Sequence, residues 1–232
     1  MKLCIIPARG GSKRIPKKNI RNFHGKPPIS YSISSALSAG CFDEVIVSTD
    51  DAEIKEIACG AGAVVPFMRE PQLADDFATT SSVIKDAILK LEQIGIHADD
   101  ICCLYPTAPF VTPNSINKSH AEMTSYGASY CFSATSFPFP IQRAFSIDAS
   151  GHSKMFYPEY QSTRSQDLPE AFHDAGQFYW GKKQSWLEDV PIFGAASRPF
   201  ILPRYLVQDI DTEEDWKKAE LMYSLLHESG NL

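Results

Sequence analysis

Short apolar runs alternate with amphipathic segments through the first half of the chain. Five runs are short and continuously apolar at their centres, as buried strands are: residues 3–6, 44–49, 63–68, 101–105 and 129–136. Between them, apolar residues recur at helical spacing in residues 29–39 and 82–94, and helices also fit after Asp50 and Pro113. This alternation predicts an α/β fold in three layers, a mostly parallel sheet with helices on both faces.

Several of the predicted helices carry end signals. Asp50 followed by Glu53 three residues later has the pattern of a capping box, which predicts a helix that runs to about Cys59. Pro113 suits the first position of a helix. Thr212 is a good N-cap for a last helix, whose apolar face is formed by Trp216, Ala219, Tyr223 and Leu226.

The regular pattern fails between Phe137 and about Ala175. This segment is rich in aromatic residues and proline, and it opens with Phe137-Pro138-Phe139-Pro140. We expect a single domain over residues 1–232 in which residues 137–175 form an arm that reaches toward a second copy of the chain, because so apolar a segment is costly to leave in water. Beyond the arm, strands are expected within residues 177–181 and 192–201, with a short helix over residues 183–187.

Composition and charge exclude several classes of protein. A net charge of −6 argues against a general nucleic-acid binder. No apolar run approaches the ~20 residues of a membrane helix, and the N-terminal run is too short for a signal peptide. The 6 cysteines show no Cys-x-x-Cys spacing and favour a reducing compartment. We therefore expect a cytoplasmic protein without nucleic-acid or membrane partners.

A basic loop follows the first predicted strand. It contains Gly10 and Gly11, which let the backbone turn tightly and direct its N–H groups at one point, together with Arg9, Lys13 and Lys18. A triphosphate would suit such a loop, although a solvated basic turn is the alternative. The loop matches neither the P-loop nor the Gly-x-Gly-x-x-Gly spacing. Other polar segments, at residues 48–51, 69 and 106–109, follow later strands and should meet the loop at the same edge of the sheet.

Two carboxylates stand two positions apart near the last helix. If the segment is extended, Asp209 and Asp211 leave the same face of the chain. Such a pair suits Mg²⁺, which takes one or two carboxylates and fills its other positions with phosphate oxygens and water. Acidic residues before a helix N-terminus are also common because the helix dipole favours them. The spacing alone leaves both interpretations open.

Five segments, in order along the chain, resemble one known family. The chain is similar to the cytidylyltransferases that activate sialic and sialic-like acids as CMP derivatives. The matching segments are residues 6–13 with Lys18 and Asn19, residues 47–50, Arg69 with residues 73–76, residues 106–109, and residues 209–213.

This resemblance implies a dinucleotide-binding-like sheet, a dimerisation arm, CTP, Mg²⁺ and a homodimer. The reaction it implies is attack by the anomeric hydroxyl of an acid sugar on the α-phosphorus of CTP, with release of pyrophosphate. The implied catalytic residues are Arg9, Lys18 and Asp211, and the implied metal ligands are Asp209 and Asp211. The implied substrate- and nucleotide-binding residues are Ala8, Arg9, Gly10, Ser12, Lys13, Lys18, Asn19, Arg69, Thr107, Arg164 and Gln177.

Departures from the sialic acid pattern bear on the choice of sugar. Tyr105 replaces a glutamine, and Ala108 replaces a serine. Residues 162–179 resemble the branch that acts on pseudaminic acid, so we expect that sugar, with CMP-N-acetylneuraminate or CMP-legionaminate synthesis as alternatives. Arg164 is the expected partner of the sugar carboxylate. The expected apolar walls are Phe137, Phe139, Phe172 and Phe178.

Two other classes of protein remain as alternatives. A glycosyltransferase also uses Asp-x-Asp, a divalent metal and a nucleotide, but its motif usually follows a central strand early in the chain, and the basic loop would be unexplained. A non-catalytic nucleotide-sensing module would bind CTP without turnover. Pyrophosphate release from CTP in the presence of an acid sugar separates all three.

Overall fold

A six-stranded sheet forms the centre of the computed structural model, which describes residues 1–75 and 77–230. The elements of the first half are β1 (Lys2–Pro7), α1 (Pro28–Ala39), β2 (Glu44–Ser48), α2 (Ala52–Gly60), α3 (Thr80–Gln93), β3 (Asp100–Leu104) and α4 (Pro113–Ser125). Those of the second half are β4 (Tyr130–Ser136), β5 (Phe145–Ile147), β6 (Ser153–Met155), β7 (Phe172–Lys182), α5 (Lys183–Leu187), β8 (Ser197–Ile201) and α6 (Glu213–Glu228). Asp76, which belongs to one of the family-like segments, lies outside the described residues.

The expectation of a mostly parallel sheet is confirmed. Strand β1 pairs in parallel with β2 and β3, and β4 pairs in parallel with β8. Strand β7 runs antiparallel to both of its neighbours, β3 and β4. Parallel strands need a crossover connection, usually a helix, but no α-helix lies between β4 and β7. The chain therefore re-enters the sheet at the end at which β4 leaves it, and β7 runs in the opposite direction.

Alternate residues of the strands supply two separate cores. On one face, Cys4 and Ile6 of β1 belong to a cluster with apolar residues of α1, α2 and α4. On the other face, Leu3 and Ile5 belong to a cluster with residues of α3 and with Trp186 of α5. Helices therefore cover both faces, as the continuous apolar runs of the strands predict.

A third apolar cluster fixes the basic loop against the end of the chain. Ile15 and Phe23, which follow β1, are fully buried with Ile210 and Trp216. The rings of Phe23 and Trp216 meet edge to face with their centroids 5.5 Å apart. Thr212 is the N-cap of α6 beside this cluster, as the sequence predicts, and it forms a capping box with Asp215. This packing brings the loop after β1 close to Asp209 and Asp211.

Two local predictions are wrong. The N-cap of α2 is Asp51 rather than Asp50, because the Asp51 Oδ1 atom accepts the N–H groups of Glu53 and Ile54, while Asp50 faces the basic loop. Residues 63–68 do not form the predicted strand. They run beside the exposed edge of β2 with only isolated bridges, at Val64 and Met68.

Residues 137–171 lie outside the central sheet. This irregular segment ends a few residues before the predicted boundary at about Ala175, because β7 already begins at Phe172. The segment contains a small hairpin, β5 paired with β6, which the sequence pattern does not indicate. It exposes several large apolar side chains, among them Phe139 at 79% and Phe156 at 61% of their surface. Among the described residues, no helix has both the length and the apolar character needed to span a membrane.

Candidate active site

The loop between β1 and α1 packs closely against the turn that joins β2 to α2. The Ala8 N–H group donates to the Ser48 carbonyl oxygen at 2.9 Å, and the Gly10 N–H group donates to Asp50 Oδ1 at 3.0 Å. A Cβ atom at Gly10 would lie only 2.5 Å from Asp51 Oδ2. The course of the loop therefore requires glycine at this position.

The far end of the loop is held by Lys18 and Asn19. Asn19 is buried, and its Nδ2 atom donates to the Arg9 carbonyl oxygen at 2.9 Å. Lys18 Nζ donates to the Ile210 carbonyl oxygen at 2.8 Å and lies 3.3 Å from Asp211 Oδ1. Arg14 Nη2 lies 2.8 Å from the same Asp211 oxygen. Asp211 thus fixes two cations of the basic loop.

The loop forms one wall of a cleft of about 610 Å³, which we call the first cleft. The cations on its described walls are Arg9, Lys13, Arg14, Lys18 and Arg69. The carboxylates there are Asp75 and Asp211, and Ser12, Asn19, Tyr105 and Thr107 add neutral polar groups. This excess of positive charge at the carboxyl ends of β1 and β3 favours a polyanionic ligand.

Arg69 is a buried cation of the first cleft. Only 5% of its surface is exposed. Its Nε atom donates to Ser48 Oγ at 3.1 Å, and its Nη2 atom donates to the Ser48 carbonyl oxygen. Burial lowers the pKa of Arg69 below its ordinary value, although a guanidinium remains charged at neutral pH. The end of β2 therefore holds a fixed positive charge against the cleft.

A second cavity of about 580 Å³ adjoins the first cleft, and Asp211 lines both. Its described walls also carry the carboxylates of Asp174, Asp209 and Asp215 and the cations Arg204 and Lys218. Thr135, Ser136, Pro138, His173, Ala175, Val207 and Gln208 complete the lining. The cavity can therefore hold a polar molecule of moderate size beside whatever occupies the first cleft.

The Asp209–Asp211 pair has the chemistry of a magnesium site. Partial desolvation, and then the charge of Asp211, raise the pKa of Asp209 above its ordinary value of 3.8, although the residue as a whole is exposed. A nearby cation would relieve this unfavourable negative charge. Within the described residues, no group of 3 or more His, Cys, Asp or Glu side chains is arranged to hold a metal ion. Two carboxylates beside a cation-lined cleft nevertheless fit Mg²⁺, which can take its remaining ligands from phosphate and water.

The structure brings most of the sequence-predicted site residues together, but not all. Eight of them line the first cleft: Arg9, Ser12, Lys13, Lys18, Asn19, Arg69, Thr107 and Asp211. Ala8 is buried behind the loop, Gly10 faces Asp50, and Asp209 lines the second cavity. Arg164 lines neither cavity, because it is exposed and its Nε atom donates to Asp167 at 2.7 Å.

Gln177 and Phe178 also lie away from both cavities. Gln177 is buried and its Nε2 atom donates to the Leu206 carbonyl oxygen at 2.5 Å, so it supports the turn that carries Arg204. Phe178 is fully buried in the core, so its proposed place in the sugar-binding wall is wrong. It alternates along β7 with Tyr179, so that Phe178 packs in the core on one face of the sheet and Tyr179 in the core on the other.

Sequence reasoning missed several charged residues of these walls. Arg14 belongs to the same basic loop as Lys13 and could have been included on that ground. Arg204, Lys218 and Asp174 carry no local motif, and they meet only because β7, the turn after β8 and α6 converge at the second cavity.

These features define the protein as a nucleotidyltransferase, and comparison with known proteins gives its family. The model of the cytidylyltransferase family matches residues 3–194, and the chain belongs to this family.

Individual relatives support the same assignment. The chain is 48% identical over 228 residues to the pseudaminic acid cytidylyltransferase of Campylobacter jejuni subsp. jejuni serotype O:2, with 98% of each chain covered. It is 31% identical over 234 residues to the CMP-N,N'-diacetyllegionaminic acid synthase of Legionella pneumophila, again with 98% of each covered.

A solved structure shares the fold. It is CMP:2-keto-3-deoxy-manno-octonic acid synthetase complexed with CTP, which matches with a TM-score of 0.72 over 97% of this chain and 98% of that one, at 17% identity. At this identity, the match shows the fold alone.

Proposed function

We propose that the protein transfers CMP from CTP to the anomeric hydroxyl of a nonulosonic acid, pseudaminic acid, giving CMP-pseudaminate and pyrophosphate. The observation that carries the proposal is the pairing of two cavities. A cation-lined cleft suited to a nucleoside triphosphate opens beside a second cavity suited to a polar sugar, with Asp211 on the walls of both.

The residues of the basic loop bind and neutralise the triphosphate. Arg9, Lys13 and Lys18 contact its phosphates, and Arg69 adds a buried charge from the end of β2. The sugar hydroxyl attacks the α-phosphorus, so an oxygen–phosphorus bond forms while the bond to the pyrophosphate leaving group breaks. The contribution of the protein is positioning and charge stabilisation rather than a covalent intermediate.

Asp209 and Asp211 bind Mg²⁺ in this proposal. When bound, the ion supplies positive charge to the phosphate oxygens and lowers the pKa of the attacking hydroxyl. The walls of the second cavity support this assignment, since four carboxylates face two cations there. A carboxylate-bearing sugar would enter such a cavity at a large electrostatic cost unless a further cation were present.

Pseudaminic acid is proposed as the sugar on two grounds. Identity to the pseudaminic acid enzyme of C. jejuni is 48%, against 31% for the legionaminic relative. Pro138 and Ala175 give the second cavity an apolar wall that suits the acetamido groups and the methyl end of this sugar. Phe137 and Phe172 are close to them in sequence. The wall also offers Arg204 and Lys218 to the sugar carboxylate. The prediction that Arg164 binds the sugar carboxylate also stands, but this side chain would have to reach the cavity from its exposed position.

We further propose that the protein is a cytoplasmic homodimer. Exposed aromatic side chains on residues 137–171 offer an apolar surface to a second copy. Cys102 and Cys103 are free thiols inside the core, and burial raises the pKa of each, so they suit a reducing compartment.

Direct competition tests the proposal. Equal amounts of pseudaminic, legionaminic and N-acetylneuraminic acid are incubated with limiting CTP and Mg²⁺, pyrophosphate is measured, and products are resolved by mass and retention time. We expect CMP-pseudaminate to predominate. A predominant CMP-N-acetylneuraminate product would refute the choice of sugar, and absence of pyrophosphate with every sugar would refute the reaction.

A further inference from the structure

Asp174 presents a carboxylate that is fixed in place at the wall of the second cavity. Its Oδ2 atom accepts a hydrogen bond from the Tyr179 hydroxyl at 2.5 Å, and its Oδ1 atom accepts one from the Gly176 N–H group at 3.0 Å. Gly176 has a φ of 61°, in the left-handed region that favours glycine, and this bend lets its N–H group point back at Asp174. The carboxylate is therefore oriented before any ligand arrives.

Tyr179 links this carboxylate to the first cleft. It is only 4% exposed, and its ring centroid lies 5.4 Å from that of Tyr105. The Tyr105 hydroxyl lies 3.0 Å from Thr80 Oγ1, and both of these residues line the first cleft. Burial raises the pKa of Tyr179 above its ordinary value of 10.0, so its hydroxyl stays protonated and donates a hydrogen bond to Asp174.

We infer that Asp174 accepts a hydrogen bond from an N–H or hydroxyl donor of the acid sugar, and that Tyr179 is the positioning residue for this carboxylate. The inference rests on the proposed function and names a substrate-recognition residue for it. Each carboxylate oxygen has two acceptor positions, and the contacts with Tyr179 and Gly176 take one on each oxygen. The remaining capacity is available to a ligand in the cavity.

Charge then sets the orientation of the sugar. The negative charge of Asp174 repels the sugar carboxylate, whereas Arg204 and Lys218 on the same cavity attract it. An acylamino or hydroxyl group of the sugar therefore faces Asp174, while its carboxylate faces the two cations. An acceptor-only side chain favours a donor group at that end of the sugar.

The test measures the KM for pseudaminic acid and the KM for CTP separately in Asp174→Asn. An asparagine has one acceptor oxygen in place of two, so it cannot serve Tyr179, Gly176 and the sugar together. We expect the sugar KM to rise at least tenfold while the CTP KM stays within twofold of wild type. Asp189→Asn, which changes an exposed carboxylate that lines neither cavity and pairs with Lys85, should leave both values unchanged.

Tyr179→Phe tests the positioning role and also serves if Asp174→Asn fails to fold by circular dichroism. It keeps the carboxylate and the turn at Gly176, and we expect a rise of threefold or more in the sugar KM alone. In the double variant, the effect of Tyr179→Phe should disappear, because it acts only through Asp174. A full and independent effect in the double variant would overturn the positioning role.

Failure of the inference and failure of the proposed function give different results. If wild-type protein releases no pyrophosphate with any acid sugar, the proposed function fails and the inference fails with it. If wild type is active and both variants retain the wild-type sugar KM, only the role of Asp174 is overturned.

Discussion

Lys18 Nζ lies 3.3 Å from Asp211 Oδ1, which joins the basic loop to a residue 193 positions later in the chain. The same ammonium group donates to the Ile210 carbonyl oxygen at 2.8 Å. The proposed metal ligand and a proposed phosphate-binding cation therefore hold each other in place. A change to either residue should disturb both functions of the site.

The first prediction concerns Lys18. We expect Lys18→Ala to lower kcat/KM for CTP at least tenfold, a loss of about 1.4 kcal/mol of transition-state stabilisation, because it removes a cation from the first cleft. Steady-state kinetics with varied CTP provide the measurement. Lys17→Ala is the matched control, since the Lys17 side chain points to Glu53 instead. Wild-type kinetics in Lys18→Ala would contradict the assignment.

The second prediction uses the two neighbouring glycines of the loop. A Cβ atom at Gly10 would lie 2.5 Å from Asp51 Oδ2, whereas one at Gly11 would have no heavy atom within 4 Å. We expect Gly10→Ala to raise the KM for CTP at least fivefold, because the loop must move away from α2. Gly11→Ala should stay near wild type. Equal kinetics for the two variants would show that the close packing at Gly10 does not shape the site.

The third prediction concerns the paired carboxylates. Asp209→Asn and Asp211→Asn should each reduce turnover at least a hundredfold, about 2.7 kcal/mol, because each removes a charged ligand of Mg²⁺. Activity measured against Mg²⁺ concentration should show a raised metal requirement, and EDTA should abolish wild-type turnover. Glu214→Gln changes an exposed acid in the first turn of α6 and serves as the control. Normal activity of Asp211→Asn at ordinary Mg²⁺ levels would contradict the metal assignment. The two carboxylates would then serve only to stabilise the N-terminus of α6.

Local chemistry made the basic loop and most of the first cleft predictable from the sequence. Arg9, Lys13 and Lys18 lie within ten positions of one another, and a strand that ends in a glycine-rich loop has few possible placements in a parallel sheet. The N-cap at Thr212 was predictable for the same reason, because the N–H group that it accepts, that of Asp215, is only three residues away.

Features that depend on long-range packing were not predictable. Asp50 and Asp51 are equally good caps in sequence, and only the approach of Gly10 to Asp50 distinguishes them. The direction of β7 depends on where the preceding segment leaves the sheet. Asp174 and Arg204 share a cavity only through the pairing of β7 and β8 with β4, which no local pattern encodes.

The fourth prediction concerns assembly. We expect light scattering at micromolar concentration to give the mass of a dimer, because residues 137–171 expose aromatic surface that a second copy would cover. Phe139 is 79% exposed, and Phe139→Asp should shift the protein toward the monomer. Leu221→Asp introduces the same charge at a 70% exposed position of α6 and is the control. A monomeric wild type would refute the proposed arm contact.

The last prediction concerns a buried charge cluster at the opposite end of the sheet from the site. Asp100 is buried at the start of β3, with His120 Nε2 at 2.8 Å and Lys182 Nζ at 2.7 Å. Burial opposes ionisation, but the hydrogen bonds from His120 and Lys182 outweigh it and lower the pKa of Asp100 below its ordinary value of 3.8. Because the pKa of Asp100 is lower in the folded than in the unfolded state, its ionised form stabilises the fold at pH values above the unfolded-state pKa. This stabilisation is lost as the pH falls through the folded-state pKa.

We therefore expect Asp100→Asn to lower the free energy of unfolding by about 1–3 kcal/mol at pH 7, because it leaves His120 and Lys182 without their charged partner. The difference from wild type should shrink once the pH falls below about 4, because Asp100 is then protonated in the unfolded chain while the folded chain still holds it ionised. Urea unfolding at pH 7 and at about pH 3 provides the measurement. Asp99→Asn is the control, since Asp99 is exposed and its side chain pairs with the terminal amino group at 2.8 Å. An equal difference between wild type and Asp100→Asn at both pH values would show that the ionised form of Asp100 contributes nothing to stability.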